Sequence, residues 1–91
     1  MIDYPRFFTP NGDGYNDTWQ IIGIETRPMS TIYIFDRYGK LLKQLSPLGQ
    51  GWDGTFNGKP LPATDYWFSV EYEEPGTNII KTFRAHFSLK R

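Results

Sequence analysis

The chain has 91 residues, with ten basic and ten acidic side chains and no cysteine. That length holds one domain and not two. The zero net charge leaves no electrostatic footprint for nucleic acid or an anionic membrane surface, and the absence of cysteine excludes disulfides and thiol nucleophiles.

A domain of this size buries only about two-thirds of its unfolded surface. Aromatic residues meet that limit: seven Phe, six Tyr and three Trp, each able to bury about 150–250 Å2. Short β-branched and aromatic runs alternate with Gly, Pro, Asn and Asp, and seven Pro and nine Gly leave little room for a helix. Tyr4 to Phe8, interrupted by Pro5, reads as an edge strand. Thr9 to Asp17 (TPNGDGYND) is a loop rich in residues that tolerate positive φ. Thr18 to Ile22 is the second strand, and Gly23 to Ser30 a connection. Thr31 to Arg37 (TIYIFDR) is the clearest strand, with Ile32 and Ile34 on one face and Tyr33 and Phe35 on the other. Tyr38-Gly39 reads as a hairpin turn leading to Lys40–Leu45.

Ser46 to Asp65 is long and irregular, with one short strand near Thr55-Phe56. Tyr66 to Glu73 places Tyr66, Phe68, Val70 and Tyr72 on one face. The segment EPGT (74–77) suits a type II turn, and Asn78 to Leu89 completes a long hairpin. The expected fold is all-β: an Ig-like antiparallel β-sandwich of about six to seven short strands.

No catalytic constellation emerges. His86, between Ala85 and Phe87, is the one histidine; a triad or a zinc site needs more than that. No Gly-rich loop has the strand-to-helix setting of a phosphate or dinucleotide cradle. The chain reads as a non-enzyme with no small-molecule substrate. The loop Asn11–Asp17 admits two readings. Its Asn and Asp side chains cap their own backbone amides, or Asn11, Asp13, Asn16 and Asp17 hold calcium (Ca2+) through oxygen ligands. The spacing departs from the EF-hand, since Tyr15 stands where a fifth-position ligand belongs. Trp19, Trp52 and Trp67 likewise pose core packing against an exposed sugar-stacking platform.

The ordered set FTPNGDGYNDTW (8–19), IYIFDRYG (32–39), WDG (52–54), GKPLP (58–62), DYWF (65–68) and HFSLKR (86–91) resembles a known family. It is that of gliding-motility-associated C-terminal domains, the type B sorting domains of the type IX secretion system of Bacteroidetes. The likeness runs from about Tyr4 to Arg91. Asp36 stands where members often have Asn, Tyr38 where they often have Trp, and Ala63-Thr64 replaces a more usual Gly-containing turn. The resemblance implies a domain joined to a large exported cargo, docking on outer-membrane proteins of the secretion machinery, with the cargo's own signal peptide handling inner-membrane export. It implies passage through the periplasm to the cell surface or the medium. A monomer is expected. Recognition is expected on the C-terminal strand, through Arg84, His86, Phe87, Ser88, Leu89, Lys90 and Arg91, and on the Asn11–Asp17 loop. The alternative is a structural or adhesive Ig-like surface module, a carbohydrate binder among its forms. The WDG-to-Tyr66 portion also resembles the Ig-like domain of flagellar hook-capping proteins, which supports the sandwich and says less about function.

Overall fold

The computed structural model describes residues 2–12, 14, 16–74 and 76–91. Seven strands form among them: β1 (Phe7–Phe8), β2 (Thr31–Phe35), β3 (Leu41–Leu45), β4 (Thr55–Phe56), β5 (Lys59–Pro60), β6 (Asp65–Glu73) and β7 (Ile80–Leu89). The main sheet has the order β1-β7-β6-β2-β3, and β4 and β5 form a small second sheet. All pairs are antiparallel except β1 with β7, which run parallel.

Alternation along the strands explains which face is buried. Ile32 and Ile34 of β2, Tyr66, Phe68 and Val70 of β6, and Phe87 and Leu89 of β7 all point inward. The opposing layer is made mostly of extended loop: Tyr4, Trp19, Ile21, Ile24 and Trp52 close the core from that side. Trp19 stacks on Phe87 at 4.2 Å, and Trp52 meets Tyr66 edge-on at 5.2 Å. The result is an Ig-like sandwich whose second layer is poor in regular strands.

That layer departs from the expected Thr18–Ile22 strand. The segment makes two single bridges, Trp19 to Trp52 and Ile22 to Asp3. Between them the Gln20 side chain takes over, with Oε1 accepting from the Ile21 N–H and Nε2 donating to the Ser46 carbonyl. The side-chain amide thus supplies partners that a ladder would have provided. The Gly23–Ser30 connection holds one turn of 3-10 helix, Ile24–Thr26, which buries Ile24.

The turns follow their chemistry. Asp36 Oδ1 accepts from the Tyr38 and Lys40 amides, and Gly39 takes φ 81°, which closes the β2–β3 hairpin. At the β6–β7 hairpin the Thr77 N–H donates to the Glu74 carbonyl and Gly76 takes φ 79°. The expected type II turn also depends on Pro75, which lies outside the described residues.

Candidate functional site

The C-terminal strand divides the seven residues expected to carry recognition. Phe87 and Leu89 belong to the core at 1% exposure each, so their side chains do not face a partner. The strand's alternation forces this, because a residue whose neighbours point outward must itself point in. Three others are tied down locally. Ser88 Oγ donates to Asp65 at 2.6 Å. The Lys90 ammonium sits 4.8 Å from the centre of the Phe7 ring. Arg91 Nε donates to the Leu61 carbonyl at 2.9 Å. Only Arg84 and His86 are exposed without such a tether, His86 beside the Trp67 ring at 6.2 Å. Of the seven, Arg84 and His86 therefore form the outward, untethered pair, and the strand's last residues hold the fold.

Nor is β7 the outermost strand throughout. The Ser88 and Lys90 amides donate to the carbonyls of Arg6 and Phe8, so β1 covers the strand's end. Upstream of Ser88, β7 has no strand neighbour on that side among the described residues. The cause is local: Pro5 has no amide to offer, and its carbonyl accepts from Trp19 Nε1 at 2.8 Å. The chain before β1 is drawn to the opposite layer, where Asp3 meets Ile22.

In the Asn11–Asp17 loop, Asp17 Oδ1 accepts from the amides of Asn11 and Gly12, and Oδ2 from that of Gly14. The Thr9 amide donates to the Asn16 carbonyl at 2.7 Å, closing the loop's base. Both carboxylate oxygens thus serve backbone donors, as the capping reading requires. Asp13, the further ligand of the calcium reading, lies outside the described residues. Among the described residues no group of three His, Asp or Glu side chains is placed to hold a metal.

The Trp-Asp-Gly corner is structural. Trp52 is buried and donates from Nε1 to the Thr55 carbonyl. Asp53 Oδ1 accepts from the Thr55 amide and hydroxyl. A Cβ on Gly54 would lie 2.8 Å from Leu89 Cδ1. Trp19 and Trp52 are both buried while Trp67 is 38% exposed on the other face, so the three do not form a platform.

The outer face of the main sheet carries a feature that the strand-by-strand reading missed. Phe35, Trp67 and His86 lie opposite one another across β2, β6 and β7, with Tyr33, Ser69 and Arg84 in the next row. The signal was present as the alternate positions of each strand, but cross-strand register is needed to bring the rows together.

The CHU_C type IX secretion signal domain matches residues 2–84. No curated protein and no solved structure matches. The match takes in the Asn11–Asp17 loop, the Trp-Asp-Gly corner and β7 as far as Arg84. With nearly the whole chain covered, the chain belongs to the type IX secretion signal domain family.

Proposed function

We propose that the domain is joined to a larger exported protein and carries it across the outer membrane by docking its folded surface on outer-membrane proteins of the type IX machinery. The family assignment supplies the sorting-signal role and the direction of export, toward the cell surface or the medium. The family is one of secretion signals and not of enzymes, and the domain acts as a monomer, without catalysis or cofactor. The observation that carries docking is the outward pair Arg84 and His86 on a strand whose inward residues are committed to the core. A rigid sandwich with a readable edge and face suits transient recognition.

The test fuses residues 1–91 to a signal peptide and a fluorescent cargo, in a host with a type IX system and in the same host lacking it. Cargo in the medium or on the surface of the first host alone is the expected result. Cargo held in the periplasm of both, with the domain folded, overturns the proposal.

A further inference from the structure

The upper half of β7 is an unfinished sheet edge with a defined chemistry. The Ser88 and Lys90 amides point to β1, while the Leu89 amide donates the other way, to the Thr64 carbonyl. The β6–β7 register is unbroken from Asp65↔Ser88 to Glu73↔Ile80. In such a ladder, alternate residues turn both N–H and C=O to the same side. Thr82, Arg84 and His86 therefore present their backbone groups to the side where no strand lies among the described residues.

The side chains around this edge say what fits it. On the inner face, Phe83 and Ala85 are half-buried against the core, so an added strand would finish their burial. On the outer face stand Thr82, Arg84 and His86, all exposed. Where β1 takes over, a notch of about 300 Å3 is lined by Tyr4, Arg6, Phe7, His86, Ser88 and Lys90. From Gly76 to Arg91 the sequence has Lys81, Arg84, Lys90, Arg91 and His86, and no carboxylate. The acidic residues nearby in the register lie one strand in, on β6: Glu71 opposite Thr82, Glu73 opposite Ile80 and Asp65 opposite Ser88. Glu74, just past β6, pairs with Lys81 at 2.8 Å, which leaves Arg84, His86 and Lys90 as the strip's positive groups. A second copy of the chain would set this cationic strip against itself, which is unfavourable for strands laid side by side.

We infer that the edge Thr82–His86 takes an extended segment of a partner protein, added as a sixth strand, with apolar residues facing Phe83 and Ala85 and acidic residues facing Arg84, His86 and the notch. This rests on the docking reading above and gives it a mode: main-chain hydrogen bonds supply affinity, and alternating side chains supply selectivity.

The test uses the whole chain and two blocked peptides, Val-Glu-Val-Glu-Val-Glu-Val and its Lys counterpart, with amide hydrogen exchange as readout. Saturating Glu peptide slows exchange of the Thr82, Arg84 and His86 amides about tenfold or more. The Lys peptide has a much weaker effect, and R84E reverses the preference while leaving the fold intact. Absence of protection, equal protection by both peptides, or protection that rises with protein concentration alone, as edge-to-edge pairing of two copies would give, each overturns the inference. In the cargo assay, R84E retains cargo that the unaltered domain exports. Export of both leaves sorting standing and overturns the edge as its contact. Retention of both counts against the sorting reading and not against the edge, which the peptides probe separately.

Discussion

The two halves of β7 obey the same strand geometry and do opposite work. From Phe87 to Leu89 the inward side chains are sealed in the core and the outer edge is paired with β1. From Ile80 to His86 the inward positions are at most half-buried and the edge is open. The difference originates outside the strand, at Pro5, whose carbonyl accepts from Trp19 and which keeps β1 from starting before Phe7. Core-facing and outward, exposed residues therefore alternate within one stretch of sequence. A deletion of residues 85–91 removes both kinds at once and cannot separate them.

Point substitutions can. Phe87→Ala loses the stack on Trp19 and the contacts to Trp52 and Tyr66. It should cost about 3–5 kcal/mol in a denaturant titration, a large part of the roughly 5–14 kcal/mol available to a domain of this size. Arg84→Ala, one half-strand away, should stay within about 0.5 kcal/mol of the unaltered chain. Equal losses at the two positions would erase the distinction. Gly54→Ala probes the sealed half from the opposite layer. Its φ of 82° and the Leu89 methyl 2.8 Å from a Cβ should make the change cost about 1–3 kcal/mol.

Asp17→Ala should cost about 1 kcal/mol, because the amides of Asn11, Gly12 and Gly14 that it serves are exposed and water replaces much of the loss. In the unaltered chain, millimolar calcium should leave the melting temperature unchanged, since the Asp17 oxygens are already engaged. A rise with calcium that chelator reverses would favour the metal reading of the loop.

The smallest effect is one of pH. Burial raises the Tyr66 hydroxyl above its ordinary 10.0, against a lowering by Arg91 and a further raising by Asp36. The hydroxyl donates to the Pro62 carbonyl at 2.8 Å. The folded state thus holds this proton more tightly than the unfolded chain does. Its contribution is complete below 10.0 and is lost as pH climbs through the folded-state value. Tyr66→Phe should flatten that alkaline decline relative to the unaltered chain, as measured by thermal melts across pH.

Two central strands of the main sheet were legible from their period, TIYIF and DYWFSVEYE, and Asp36 and Gly39 mark the turn from β2 to β3. The seal on β7 was legible in part: Tyr4 to Phe8 reads as an edge strand and its last two residues form β1 at the sheet's margin, but its parallel partner and its short length depend on where Pro5 sends its carbonyl. The same limit hid β5, a two-residue strand containing Pro60. The division of the terminal segment is hidden in the sequence for a related reason. Phe87 and Leu89 resemble Arg84 and His86 in position along the chain, and only register and neighbours show that they face the core. The loop's donors and acceptors were in the sequence, but the amide contacts themselves needed the path that brings Asn11, Gly12 and Gly14 around Asp17.

Residue-by-residue hydrogen exchange along β7 in the free chain tests the division of the strand most directly. The Ser88 and Lys90 amides, held by Arg6 and Phe8, should exchange only on global unfolding. Those of Thr82, Arg84 and His86 should exchange orders of magnitude faster, although they alternate with protected neighbours paired to β6. Uniform protection from Thr82 to Lys90 would mean that the edge is already covered and would contradict the account.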